Sequence, residues 1–287
     1  MRNIKLYGTT QELVSDQGSD KYMMKTVPGV GYVNENKKTV YNRKKGKIVA
    51  VTSDFTYYDF EEDYFVAISQ EDAQYFTGVW FNGKFYDVNP TGDTMCEMPS
   101  GPGEYTVEYE IPAGEDTLYG HFYSALDISI PNGIKRIKEG CFGMGTGSGV
   151  LRNVTLPNTL EYIEFAVFAL GFIYNDTGVT IPSVIEIGDA AFNYCHGWHP
   201  PVSGGGPEVH QGLESIELPA NLVRIGEDCF RDSVLLSSIT CHATTAPSFG
   251  QWAFYNVSET GTLYYPAGSD YSSWLSELGS GWTGVEI

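Results

Sequence analysis

One stretch limits the fold more than any other: Leu151 to Phe168, LRNVTLPNTLEYIEFAVF, whose apolar template returns once before it and three times after it. Counted from Leu151, apolar residues stand at +0, +3 and +5, proline at +6, apolar residues at +9 and +12, a small residue at +16 and phenylalanine at +17. These are Leu151, Val154, Leu156, Pro157, Leu160, Ile163, Val167 and Phe168. The unit before it reads Ala125, Ile128, Ile130, Pro131, Ile134, Ile137, Cys141 and Phe142. The fourth reads Leu213, Ile216, Leu218, Pro219, Leu222, Ile225, Cys229 and Phe230. The third keeps Val179, Ile181 and Pro182, then runs one residue short through Val184, Ile187, Ala191 and Phe192. The fifth begins Leu236, Ile239 and Cys241, has His242 where the proline stood, and ends in Ala253-Phe254. The closing phenylalanines, Phe142, Phe168, Phe192, Phe230 and Phe254, advance by nearly equal steps except for one swollen step between Phe192 and Phe230. A period of about two dozen residues marks a solenoid, in which each unit buries its apolar side against its neighbours.

The template dictates the course of each turn. Positions +3 and +5 point inward from a short strand and +4 points outward, because successive side chains alternate. The proline has no N–H, so it ends that strand's ladder. The chain then reverses and sends +9 and +12 into the core from the other side, with glycines such as Gly188 and Gly226 expected to help the turn. Phe142, Phe168, Phe192, Phe230 and Phe254 are expected to stack as an internal ladder beside a column of small residues, Cys141, Val167, Ala191, Cys229 and Ala253. Cys141 and Cys229 then fill a buried slot and Cys241 an inward strand position, where a thiol acts as a small hydrophobe.

Charge divides the chain. Residues 1 to 47 carry 10 Lys/Arg against 4 Asp/Glu, a balance of +6, while residues 48 to 287 carry 7 against 32, a balance of −25. A body that acidic repels nucleic acid and anionic lipid, so no nucleic-acid partner is expected. Nowhere is there an apolar run long enough to span a bilayer, and no membrane insertion is expected; the start, MRNIKLYGTTQELVSDQ, lacks the apolar core of a secretory signal. Five cysteines without a CxxC pair define no disulfide framework or redox compartment.

Residues 1 to 47 read as short strands and turns ending in a basic run with Lys37, Lys38, Arg43, Lys44, Lys45 and Lys47. Such a run is ordinarily a solvated connector. Its alternative use is a docking arm for an acidic partner, and the body of a second copy qualifies, which makes self-association through this segment an expectation. From Ile48 to Ser124 the runs IVAVTS, YFVAI, GVWFNGKFYDV, EYTVEYEI and TLYGHFY alternate apolar and polar residues. They predict a small antiparallel, sandwich-like β domain. Asn82-Gly83 between two alternating arms is a strong hairpin signal, since a type I′ turn needs positive φ at both central residues. Four carboxylates in DFEED, Asp59, Glu61, Glu62 and Asp63, show neither the loop spacing of a calcium site nor two acids held across a cleft.

The units LRNVTLPNTLEYIEFAVF and LESIELPANLVRIGEDCF, with AAFNYC in the third, resemble the BspA-like leucine-rich repeats of bacterial surface proteins, and TLYYPAGSDYSSWLSELGSGW resembles the cap that follows such repeats. The resemblance covers about residues 125 to 287. It implies a right-handed leucine-rich-repeat solenoid of five units over 125–260 and a C-terminal cap over 261–287, following segments 1–47 and 48–124; the whole chain is mainly β. It also implies a cell-surface or extracellular setting and attachment to host or neighbouring-cell molecules, and it supplies no catalytic residues.

Two places are candidates for contact. The long step after Phe192 holds NYCHGWHPPVSGGGPEVHQ, with His196, Trp198, His199, Glu208 and His210, and insertions in repeat proteins collect on one face. Together with Cys195 these could ligate zinc, but the spacing matches no structural zinc pattern, and no metal or cofactor is expected. The second candidate is the outward strand face, Ser129, Arg152, Asn153, Thr155, Thr180, Glu217 and Thr240, a small, hydroxyl-rich row without aromatics. The glycine-rich GMGTGSG has no following Lys-Ser/Thr, GGGPE has no lysine, and no GxSxG elbow is present. The sequence therefore reads as a non-enzymatic binding or adhesion module for a protein or glycan ligand. A structural subunit of an extracellular or phage-like assembly is the alternative, and a carbohydrate-active enzyme the third reading.

Overall fold

In the computed structural model, backbone is described for residues 2–6, 9–13, 26–27, 31–34, 39–41, 47–54, 64–97, 104–122, 125–143, 150–151, 153–170, 172–173, 179–199 and 209–287. Side chains are described for these from residue 47 onward, apart from 53–54, 64–65, 150, 172–173, 196–199 and 209–211. The acidic DFEED run, Glu208, Arg152 and most of the basic run lie outside the described residues.

Each turn of the repeat contributes two short strands, one on each side of the core. On one side, Thr117–Leu118, Arg136–Ile137, Tyr162–Ile163, Glu186–Ile187, Arg224–Ile225 and Ser248–Phe249 form an unbroken parallel sheet of 6 strands. Its inward members come from template position +12, and Ile137, Ile187 and Ile225 are fully buried. On the other side the strands of the VTLP type fall into two groups. Ala125–Ser129 pairs in parallel with Asn153–Thr155. Val179–Thr180 starts a second group that continues through Ser215–Leu218, Ser238–Cys241, Gly261–Tyr265 and Trp282–Glu286.

Between the two sheets the phenylalanines stack. Centroid separations are 5.6 Å for Phe142–Phe168, 5.1 Å for Phe168–Phe192, 5.4 Å for Phe192–Phe230 and 5.6 Å for Phe230–Phe254. The swollen sequence step from Phe192 to Phe230 is thus crossed in 5.4 Å, no farther than the others. Its extra residues are therefore looped out, and the core period is kept. Phe122 extends the ladder at one end, 5.1 Å from Phe142, and Trp274 of the capping helix Ser272–Leu278 closes it, 5.0 Å from Phe254. The small-residue column is buried as the template requires, with Val167, Ala191, Cys229 and Ala253 at 0% exposure.

Gly188, Gly226 and Gly250 follow the +12 position, and their role is close approach. A Cβ on Gly226 would lie 2.4 Å from the Asp189 backbone nitrogen, and one on Gly250 2.4 Å from that of Glu227. None of the three has a positive φ, so the sequence-based expectation that they serve as turn residues is replaced by a packing reason: neighbouring turns touch there backbone to backbone.

The solenoid does not begin cleanly at Ala125. Lys47–Asp54 pairs antiparallel with both Glu104–Ile111 and Ala125–Ser129, and Glu104–Ile111 pairs with Gly78–Phe81, which turns through Asn82-Gly83 into Lys84–Asp87. Asn82 and Gly83 have φ of 46° and 79°, as the type I′ hairpin requires. One sheet of 6 strands thus runs from Lys84–Asp87 into the first two repeat strands. Tyr64–Ile68 and Thr94–Glu97 form a separate antiparallel pair. Before residue 47, Arg2–Leu6 pairs with Thr9–Leu13, and Thr26–Val27, Gly31–Asn34 and Thr39–Tyr41 form a small antiparallel sheet.

Candidate functional site

Every turn passes from the +12 strand to the ladder phenylalanine through a tight bend. Two positions of that bend are left-handed in successive turns. The +15 column is Gly140, Ala166, Ala190, Asp228 and Trp252, with φ of 67°, 51°, 53°, 53° and 58°. The +19 column includes Leu170, Tyr194, Asp232 and Asn256, with φ of 59°, 53°, 58° and 55°. Bends stack in register: Asp228 N–H donates to Gln251 O at 3.0 Å, Phe230 N–H to Ala253 O at 2.8 Å and Asp232 N–H to Tyr255 O at 2.9 Å. Side chains between the buried +16 and +17 positions and the next turn therefore project from one edge of the solenoid in rows.

At units three to five this edge is chemically rich. Tyr194, Trp252 and Tyr255 are 42%, 45% and 54% exposed. Arg231 stands among them, its guanidinium carbon 5.5 Å from the Trp252 ring centre and 5.4 Å from that of Tyr255. Its Nη1 reaches Asp228 Oδ1 at 3.2 Å and its Nε reaches Asp232 Oδ2 at 3.2 Å. Asp232 Oδ1 also accepts from Asn256 Nδ2 at 2.6 Å, and the Tyr194 hydroxyl bonds to the same carboxylate, which pushes the phenol above its ordinary range. Tryptophan in a left-handed bend is unfavourable by about 1–2 kcal/mol relative to glycine, because Cβ crowds the carbonyl.

The opposite strand face is quieter. Ser129 and Thr155 are exposed neighbours, and Thr180, Glu217 and Thr240 are neighbours in the second group, so the outward row is split between unit two and unit three. Asn153 is exposed and donates to Asp127 Oδ1 at 2.6 Å. Glu217 accepts from Thr180 Oγ1 at 3.1 Å and lies 2.8 Å from His242 Nε2; the histidine bond, then that of Thr180, holds the carboxyl below its ordinary range. The loss of the repeat proline thus places a histidine against Glu217, and Glu217, bonded also to Thr180, links three turns. The outer face of the continuous sheet is ion-paired, with Glu164 held by Arg136 and Lys138, each at 2.9 Å, and Arg224 by Glu186 and Asp189.

The insertion after Phe192 is a β-hairpin. His196–His199 pairs antiparallel with Val209–Gly212, placing Trp198 opposite His210 and His199 opposite Val209. Leu213 N–H donates to Cys195 O at 2.8 Å, so the excursion leaves and re-enters the solenoid at one point. Cys195 is fully buried and its thiol donates to Phe168 O at 3.2 Å. Among the described residues no group of three His, Cys, Asp or Glu converges as a metal site. Burial pushes the Cys96 thiol up to about 12 and those of Cys141, Cys229 and Cys241 upward as well, which suppresses thiolate chemistry at all four.

Six copies of the BspA-type leucine-rich repeat match residues 114–199 and 209–273, more than half of the chain. The chain belongs to the BspA-type leucine-rich-repeat family. No curated protein and no solved structure matches it. The gap between the two matches in this BspA-type chain, 200–208, lies outside the described residues, and the first match begins ahead of Ala125, where Thr117–Leu118 opens the continuous sheet. The turn-edge residues escaped the sequence reading because the family template weighs buried apolar positions. Their signal was present in the pairs that follow each ladder phenylalanine, Asn193-Tyr194, Arg231-Asp232 and Tyr255-Asn256.

Proposed function

We propose that this chain is a non-enzymatic, surface-exposed binding module that attaches to a host or neighbouring-cell protein or glycan. Families of BspA-type repeats are commonly surface-associated and protein-binding. No described helix is long and apolar enough to cross a membrane. The observation that carries the reading is how the residues are spent: the inward positions are consumed by the ladder and its flanking strands, while Trp252, Tyr255, Tyr194 and Arg231, residue types that dominate binding energetics, are held on one outer edge. The immobilised chain, offered matrix proteins and glycans, is expected to bind at least one saturably and to turn over none of a broad glycoside panel. Turnover, or no binding to either class, sinks it.

A second reading, a structural subunit of an extracellular or phage-like assembly, is favoured by the opposed charges of residues 1–47 and 48–287, +6 and −25. It requires self-association that weakens with salt. A monomer by light scattering at both low and high salt, unchanged by deleting residues 1–47, removes it.

A further inference from the structure

We propose that the turn edge of units three to five is the binding site, and that its ligand is a neutral, hydroxyl-rich glycan; this rests on the binding-module reading above. Trp252 is the central observation. It occupies a left-handed bend position, φ 58°, where earlier units have Gly140, Ala166 and Ala190, and it is 45% exposed, so the core does not require it. A bulky residue kept in a disfavoured conformation without being buried points to work at the surface. Tyr255, at the next outward position of the same bend, gives a second ring 54% exposed. Arg231 lies against both rings and leaves much of each to solvent.

Beside the rings stand groups that read hydroxyls. The Asp232 carboxylate, its side chain 13% exposed, sits under the rim and is bonded to Asn256, Arg231 and Tyr194, which it orients. The Asn256 amide has a second N–H and a carbonyl oxygen beyond the bond to Asp232, and the Tyr194 hydroxyl, its one proton donated to Asp232, can offer its oxygen as an acceptor on the same rim, both from left-handed positions. Flat rings accept the C–H faces of sugars through the negative face of the π system, and beside them the Asn256 amide can accept from and donate to hydroxyls while the Tyr194 oxygen accepts.

Charge selects among ligands. A basic peptide would meet Arg231, which already occupies the cation position over both rings and is paired with Asp228 and Asp232. An anionic glycan would approach a body of net −25 over residues 48 to 287. A neutral saccharide meets neither obstacle.

The test uses the full chain and calorimetry against α-mannan, galactomannan, laminarin and chitohexaose, with heparin as the anionic counterpart. Variants are Trp252→Gly, Tyr255→Ala and Asn256→Gly. Glycine suits the left-handed bend, so Trp252→Gly and Asn256→Gly are expected to melt no lower than the parent chain. The expected result is binding of a neutral probe but not heparin, weakened at least tenfold by Trp252→Gly and by Tyr255→Ala. Binding that stays within twofold in both variants overturns the site and leaves the binding-module reading standing. If no neutral probe binds at millimolar concentration, or if a basic peptide or protein binds at this edge instead, the glycan assignment is overturned.

Discussion

Phe192 is fully buried between Phe168 at 5.1 Å and Phe230 at 5.4 Å, so its removal leaves a cavity that neither neighbour can fill without breaking the next stacking contact. Phe192→Ala should lower unfolding free energy by about 3–5 kcal/mol. Phe165, 46% exposed in the same kind of turn, is the internal control: Phe165→Ala should change it by no more than about 0.5 kcal/mol. Urea titration checks both, and a Phe192→Ala midpoint equal to that of Phe165→Ala refutes the ladder as the principal source of stability. Glu217 gives a pH signature. Its folded pKa is depressed below the ordinary 4.5, so its contribution is present above that value and is lost as pH falls through the folded one. The side chains of His242 and Glu217 are 42% and 47% exposed, which limits the effect to under about 1 kcal/mol. Glu217→Gln should therefore unfold at lower urea than the parent at pH 6, by a gap that narrows as pH falls below 4.5; a gap that stays constant down the acid limb rules out the Glu217 carboxylate as its source. Inward residues such as Ile128, Ile187 and Ile239 were legible in sequence because apolar periodicity encodes burial. Trp252 and Tyr194 were not, because a left-handed bend leaves no apolar period, and aromatic residues there look like noise on the template.

The inserted hairpin shows how an element can interrupt a repeat without disturbing it. Antiparallel pairing of His196–His199 with Val209–Gly212 and the 2.8 Å bond from Leu213 N–H to Cys195 O close the excursion at its base. Loop entropy rises only slowly with length, so a long tip is tolerated. Replacing residues 199–209 by Asn-Gly should therefore shift Tm by no more than a few degrees, about the effect of 1 kcal/mol. Differential scanning calorimetry decides it, and loss of a cooperative transition would mean that the hairpin supports units three and four. The insertion was readable as a swollen step between phenylalanines. Its strands were not, because HGWH and VHQG lack the alternation that marks a half-buried strand. The same limit hid the start of the continuous sheet: TLYGHF reads as one more alternating strand, yet Thr117–Leu118 joins the solenoid and Phe122 opens the ladder.

In most repeat arrays each unit contacts its neighbours alone, and stability sums along one dimension. Here the array begins inside another sheet. Lys47–Asp54 is hydrogen-bonded on one edge to Glu104–Ile111 and on the other to Ala125–Ser129, and Phe122 packs on Tyr109 at 4.8 Å. Buried residues from Val49 to Trp282 form one connected core. Sequence could not announce this, because period-two strands and the leucine-rich repeat are each complete as local patterns, and pairing between them is set by edges that carry no motif. The consequence is thermodynamic. A chain starting at residue 113 would expose the edge of Ala125–Ser129 and the apolar faces of Phe122, Ile128 and Ile130, surface that sheet edges and hydrophobic patches make prone to association. That truncated chain should aggregate or melt well below the full chain, although it keeps every unit from Ala125 onward. In the full chain, amide exchange in Lys47–Asp54 should be protected to within about tenfold of that in Ala125–Ser129, since strands of one sheet open together. Exchange in Lys47–Asp54 a thousandfold faster, with a truncated chain as stable as the parent, would show that the solenoid nucleates on its own and that the preceding sheet is an appendage.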